Sequence, residues 1–181
     1  MRRRLFKNLV SAPSTERVDE REPQKLETAG SALRGAIARR LGRSLAIREV
    51  DTGSCNGCEL EIHAMSNAFY DIERFGIRFV ASPRHADVLL VTGPVTHNMR
   101  EALERTYAAT PAPKWVVAVG DCGAGCGVFA NSYACVGAVS KVIPVDLVIR
   151  GCPPTPTELL QGLLWLLNDS AVSAAGDAQP S

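Results

Sequence analysis

Short runs of apolar, β-branched residues alternate with segments of helical periodicity along most of the chain. Five runs have the length and composition of strands, at residues 45–50, 77–80, 87–91, 115–119 and 145–149. Helical patterns lie between them, at residues 58–75, 99–107 and 138–142. This order predicts an α/β fold with a mostly parallel sheet flanked by helices. In such sheets, ligands bind beyond the carboxyl ends of the strands.

The composition agrees with one folded domain. Of the 181 residues, 46% are hydrophobic and 22% are charged, which excludes a largely disordered chain. The longest apolar stretches, at residues 88–91 and 159–167, are shorter than the roughly 20 residues that cross a bilayer. We therefore expect a globular domain rather than an integral membrane protein.

Charge is distributed unevenly along the chain. Residues 1–48 hold 12 of the 20 Lys and Arg but 5 of the 19 Asp and Glu, so the net charge is +7 there and −6 over the rest. We interpret residues 1–44 as a basic N-terminal arm for an anionic surface, of lipid or of another subunit. Acidic residues mixed into the arm argue against nucleic acid. The α/β domain then spans residues 45–169, and residues 170–181 form a flexible tail.

Within the arm, residues 11–29 have the composition of a flexible linker, and residues 31–43 form an amphipathic helix. Leu33, Ile37 and Leu41 recur every four residues along one face of this helix. Two interpretations stay open for that face. It packs against its own domain, or it lies on a membrane surface or a partner subunit.

The last helix carries the clearest end signal in the chain. Thr155 has the position of an N-cap, Pro156 follows at the first helical position, and Glu158 completes a T-x-x-E capping box. Leucines then cover much of the helix surface, which predicts packing on more than one side.

The N-terminus also bears on the location of the protein. Arg3 and Arg4 begin a pattern similar to a twin-arginine export signal, but no sustained apolar run follows them. We therefore expect the protein in the cytoplasm, where structural disulfides are rare. The six cysteines are then expected to bind metal or to act catalytically.

Three glycine-rich loops with cysteines each follow a predicted strand. They hold Cys55 and Cys58, then Cys122 and Cys126, then Cys152. Because the carboxyl ends of parallel strands meet at one edge, the loops are expected to converge there. Four thiolates suit an iron–sulfur cluster or zinc, and the glycines favour a cluster because they permit N–H donation to sulfur. A thioredoxin-like dithiol explains only the first loop.

Four stretches resemble the complex I 20 kDa subunit family, which includes the small subunits of membrane-bound nickel–iron hydrogenases and formate hydrogenlyases. They lie at residues 54–61, 86–93, 113–122 and 143–156, within a likeness that runs from about residue 45 to 168. The complex I branch has two adjacent cysteines in the first loop. This chain instead has C-N-G-C-E-L-E from Cys55, similar to the hydrogenase branch.

The resemblance implies a flavodoxin-like fold and one [4Fe-4S] cluster held by Cys55, Cys58, Cys122 and Cys152. It implies an electron-transfer small subunit without catalytic residues, next to the catalytic site of a large subunit in a membrane-associated hydrogenase-type oxidoreductase complex. The expected place is the inner face of the cell membrane, reached through the complex. A complex I-type subunit is the alternative within the family. A zinc-binding interaction module is the alternative outside it.

The remaining candidates carry weaker expectations. Cys126 and Cys135 have no assigned family role, and a buried small hydrophobe is the commoner fate of a free cysteine. For Cys126, four residues past Cys122, a role as substitute ligand is the alternative. Glu61 matches a family carboxylate near the subunit interface, and it is equally well explained as a solvated helix residue. Asp121 would raise electron density at the cluster, although a turn role is the simpler interpretation. The three histidines, His63, His85 and His97, show no ligand spacing, and no phosphate-binding glycine motif occurs.

Overall fold

The computed structural model describes residues 21–176, with side chains through residue 168, and centres on a five-stranded parallel sheet. The strands of this sheet are β1 (Leu45–Asp51), β2 (Ile77–Phe79), β3 (Val88–Thr92), β5 (Trp115–Val119) and β7 (Leu147–Ile149). They lie in the order β2-β1-β3-β5-β7, and each neighbouring pair is parallel. Counted within the sheet this order is 2-1-3-4-5, the flavodoxin-like order. The predicted fold class is confirmed.

The helices and a second small sheet complete the architecture. The helices are α1 (Glu22–Leu41), α2 (Gly57–Ala64), α3 (His97–Ala109), the single turn α4 (Gly120–Gly123) and α5 (Pro156–Gly176). Strands β4 (Val95–Thr96) and β6 (Cys135–Gly137) form an antiparallel pair that the sequence did not predict. The helix expected at residues 138–142 is a 3₁₀ turn, Val139–Lys141. Among residues 21–176, no helix is both long and apolar enough to cross a membrane.

The sheet divides the interior into two apolar cores. On one face, Leu90 and Val117 pack with residues of α1, α2 and α5. On the other face, Leu89 and Val91 pack with Leu103 of α3. Successive residues of β3 point to opposite faces of the sheet, and each face is covered by one of the two cores. The strand is therefore buried along its whole length, which explains its unbroken apolar sequence.

Helix α1 packs on its own domain, which decides between the two interpretations of its apolar face. Leu33 and Ile37 are buried in the core that α1 shares with α5, and Leu41 packs against its margin. The Arg40 guanidinium also donates to the backbone oxygen of Leu167 in α5, over 3.0 Å. The apolar face is therefore not available to a membrane or a partner.

Helix α1 also begins earlier than expected. The predicted linker at residues 11–29 is wrong from Glu22 onward, because Leu26 and Ala29 are buried in the same helix. The earlier part of that linker lies outside the described residues.

The helix expected over residues 58–75 ends at Ala64. The Asn67 Oδ1 atom accepts hydrogen bonds from the backbone of Phe69 and Tyr70, and Asp71 takes a left-handed conformation at φ 41°. An asparagine side chain that binds nearby N–H groups in this way competes with helix formation. A separate 3₁₀ turn, Ile72–Phe75, then buries Ile72, so the apolar spacing continues although the helix does not.

The capping box of α5 forms as predicted. The Thr155 backbone N–H donates to Glu158 Oε2 over 2.7 Å, and the Glu158 backbone N–H donates to Thr155 Oγ1 over 3.3 Å. The backbone of α5 runs to Gly176, beyond residue 170 where the tail was expected to begin.

Candidate metal centre

The three cysteine loops lie at the carboxyl ends of β1, β5 and β7. Cys55 is in the loop after β1, and Cys58 is in the first turn of α2. Cys122 is in the single turn α4 that follows β5, and Cys152 lies between β7 and α5. These strands run parallel in one sheet, so the loops meet at one edge as the sequence predicted.

Four of the six thiols lie near enough to one another to influence the pKa of one of them. Burial is the main cause that raises the pKa of the Cys58 thiol to about 12. The Glu59 carboxylate raises it further, and so do the thiols of Cys122, Cys55 and Cys152. The structure therefore brings the four predicted cysteines together, while their role as ligands stays a prediction.

Backbone groups beside one of the sulfurs favour its thiolate form. Burial raises the pKa of the Cys122 thiol, and the backbone of Phe129 and Val128 opposes this rise. Hydrogen bonds to a sulfur stabilise its thiolate form and tune the potential of a bound cluster. The N–H donation expected of the glycine-rich loops stays a prediction.

Glycine leaves room for the sulfur atoms. Gly120 has a φ of 81°, and a β-carbon on it would lie 2.7 Å from the Sγ of Cys58. A β-carbon on Gly57 would lie 3.6 Å from the Sγ of Cys55, and Gly127 lies against the Sγ of Cys122. Three of the four thiols therefore have a glycine beside them.

The other two cysteines stand apart from this set. Cys126 is exposed, so the expectation that it is a buried hydrophobe is wrong. Its sulfur contacts the Arg150 guanidinium and lies 3.5 Å from the backbone oxygen of Asp121. Cys135 is half-buried in β6. Neither thiol is among the groups that raise the pKa of Cys58 or Cys122.

Two carboxylates near α2, the buried Glu59 and the half-buried Glu49, were missed from the sequence. Glu59 is 7% exposed, and its Oε1 accepts a hydrogen bond from Ser54 Oγ over 2.6 Å. Glu49 lines a cavity of about 350 Å³ together with Arg48 and His63, and burial raises its pKa. Each carboxyl has one buried oxygen without a hydrogen-bond partner among the described residues. Only the burial of these side chains distinguishes them from ordinary helix and strand acids.

The other candidate residues, Glu61 and the three histidines, do not form one cluster. Glu61 is half-buried, and its carboxylate contributes to raising the pKa of the Tyr70 hydroxyl. His63, His85 and His97 are exposed on separate elements. Among the residues with described side chains, no three His, Cys, Asp or Glu lie close enough to hold a single metal ion.

Comparisons with known proteins indicate the family of this chain. The family model described as NADH ubiquinone oxidoreductase, 20 Kd subunit, matches residues 55–166. Formate hydrogenlyase subunit 7 of Escherichia coli (strain K12) is 39% identical over 165 residues, which cover 88% of this chain and 65% of that protein. The chain thus spans slightly less than two thirds of that relative. A probable membrane-bound hydrogenase subunit of Pyrococcus furiosus is 45% identical over 140 residues, covering 77% of this chain and 84% of that one.

A solved structure is also similar to this chain in its fold. A chain in the membrane-bound sulfane sulfur reductase, an archaeal respiratory membrane complex, matches with a TM-score of 0.61 and 33% identity. The match covers 81% of this chain and 75% of that chain. Because the family model includes all four cysteines at the sheet edge and most of the described fold, the chain belongs to the family of the NADH ubiquinone oxidoreductase 20 kDa subunit.

Proposed function

We propose that this chain is the electron-transfer small subunit of a membrane-associated, hydrogenase-type oxidoreductase complex. Cys55, Cys58, Cys122 and Cys152 would hold one [4Fe-4S] cluster in it. The observation that carries the proposal is the convergence of these four cysteines, which come from three loops that follow parallel strands at one sheet edge.

The donor set fits such a cluster. Thiolates are the usual ligands of [4Fe-4S] clusters, and N–H donors to sulfur are among the features that set their potential. Gly120 and Gly127 leave space at Cys58 and Cys122, and the backbone of Phe129 and Val128 favours the thiolate form of Cys122. When bound, the cluster would accept and release one electron at a time. The chain itself would fix the sulfurs and shield Cys58 from water.

The first cysteine loop supports the hydrogenase branch of the family. Cys55 and Cys58 are separated by two residues, whereas the complex I branch has adjacent cysteines there. The relatives named as formate hydrogenlyase and membrane-bound hydrogenase subunits agree with this branch. Any nickel–iron chemistry would then lie in a separate large subunit. A complex I-type subunit is the second candidate, because the matching family model carries that description.

Exposed apolar side chains near the cysteine loops support a partner subunit at this edge. Leu60 follows Cys58 on α2, and Val128 and Tyr133 follow Cys122 in the next loop. Their exposed fractions are 63%, 83% and 96%. Apolar side chains of this size at a site that must exchange electrons are typical of an interface core. We propose that the large subunit covers them and that the complex holds the chain at the inner face of the membrane.

The test is the metal content of the complex purified without oxygen. We expect a brown protein with about four iron and four sulfide per copy of this chain beyond those of its partners, as one [4Fe-4S] cluster requires. Co-expression with a large subunit whose metal site has been removed isolates this contribution. A colourless preparation with stoichiometric zinc on this chain would overturn the proposal in favour of a zinc-binding interaction module.

A further inference from the structure

Two charged residues join the second and third cysteine loops. Asp121 directly precedes Cys122, and Arg150 precedes Cys152 by two positions. The Arg150 Nη1 atom lies 3.6 Å from Asp121 Oδ1. The backbone of Asp121 also donates to the oxygen of Gly151 over 2.9 Å, and the Gly151 N–H donates to Asp121 Oδ1 over 3.4 Å. The ion pair therefore bridges the second and third cysteine loops.

A third group fixes the position of the guanidinium. Arg150 contacts the Sγ of Cys126, and the Cys126 backbone N–H donates to the oxygen of Asp121 over 2.9 Å. The loop after Cys122 thus folds back so that Asp121 and Cys126 both face Arg150. The two charged side chains, of Arg150 and Asp121, are 63% and 35% exposed in the chain alone, so water screens them there. A subunit that covers this edge would remove part of that screening.

We propose that Asp121 and Arg150 act as opposed fixed charges, each of which shifts the reduction potential of the centre that Cys122 and Cys152 would help to hold. This inference rests on the proposed function. Reduction of a cluster held there would add one electron, and therefore one negative charge, to the site. A guanidinium nearby stabilises the added charge and raises the potential, whereas a carboxylate lowers it. Because the two charges are paired, their combined effect on the reduction potential is small. Removal of one leaves the charge of the other uncompensated.

The experiment measures midpoint potentials in the whole complex by redox titration followed with electron paramagnetic resonance. Asp121→Asn removes the negative charge and keeps an oxygen that can accept from the Gly151 N–H. Arg150→Gln removes the positive charge, and Arg150→Lys keeps it. The double variant Asp121→Asn with Arg150→Gln removes both. Iron content, measured on each variant, separates a change of potential from a loss of the cluster.

Opposite shifts support the inference. Arg150→Gln should lower the ratio of reduced to oxidised centre at a fixed potential by about threefold, which is about 30 mV for a one-electron couple. Asp121→Asn should raise this ratio by a similar factor, and the double variant and Arg150→Lys should stay close to the wild type.

A purely structural clamp makes a different prediction. It predicts shifts of the same sign, no shift, or loss of iron that lysine at position 150 does not restore, and each of these would overturn the inference. If Asp121→Asn fails to hold iron, the comparison of Arg150→Gln with Arg150→Lys still decides the sign. A wild-type complex without a cluster signal would instead show that the proposed function has failed, and the inference with it.

Discussion

A β-carbon on Gly120 would lie 2.7 Å from the Sγ of Cys58, closer than β-carbons approach other heavy atoms in folded proteins. The two residues belong to different loops, because Gly120 follows β5 and Cys58 opens α2 after β1. Glycine at position 120 is therefore required by a neighbour that lies far away in the sequence, as well as by its φ of 81°.

This contact predicts that Gly120→Ala displaces the Cys58 thiol and lowers the iron content several-fold. Gly76→Ala is the matched control, since Gly76 has a φ of 82° but a β-carbon on it would have no atom of the described residues within 4 Å. Both variants carry a backbone strain of about 1–2 kcal/mol, so a difference between them reports the sulfur contact. Equal iron in the two purified proteins would contradict the prediction.

The burial of α1 predicts that this helix stabilises the domain. Leu33 is 0% exposed, and Leu33→Ala should lower the free energy of unfolding by about 2–4 kcal/mol in a denaturant titration. Arg34→Ala, at the exposed neighbouring position, should change it little. A deletion of residues 1–29 should also destabilise the domain because it removes the buried Leu26. Similar stabilities for Leu33→Ala and Arg34→Ala would show that α1 does not dock as described.

The capping box predicts a smaller effect at the start of α5. Thr155→Ala removes a hydroxyl that accepts from the Glu158 N–H and donates to its carboxylate over 2.9 Å. The expected cost is about 1 kcal/mol in thermal or chemical unfolding. Thr155→Ser is the control, because serine keeps the hydroxyl and should retain most of the stability. A loss of the same size with serine would assign the effect to the methyl group instead.

The exposed apolar side chains predict where the large subunit binds. Val128→Asp places a charge among them and should weaken capture of the large subunit at least tenfold in a pull-down, because an unpaired charge is costly in an interface core. Ala109→Asp adds the same charge at the exposed end of α3. This position shortly precedes the start of β5, at the end of the strands opposite to the cysteine loops. If Ala109→Asp weakens binding as much as Val128→Asp, the interface lies elsewhere.

The sequence indicates the strands well because they are short and buried. The residues of β3 face both cores, so their apolar run has few interpretations other than a central strand. The ends of the helices are harder to predict from the sequence. The break after Ala64 depends on the side chain of Asn67, while Met65 and Ile72 remain buried and continue the apolar pattern. The early start of α1 depends on its packing against α5, which composition alone does not show.

The candidate site also has features that the sequence predicts and features that it does not. The convergence of Cys55, Cys58, Cys122 and Cys152 follows from strand order, because loops after parallel strands share an edge. The contact of Arg150 with Cys126 and the buried oxygen of Glu59 depend on side-chain positions across several elements. No periodicity or spacing in the sequence carries that information.

The assignment of iron to particular thiols is tested most directly by comparing two cysteines of one loop. In the anaerobically purified complex, Cys122→Ser should lose or convert the electron paramagnetic resonance signal of the reduced centre, because a hydroxyl is a poor substitute for a thiolate. Cys126→Ser and Cys135→Ser should keep the signal and the iron content nearly unchanged. A complex in which Cys126→Ser loses the signal while Cys122→Ser keeps it would contradict the account.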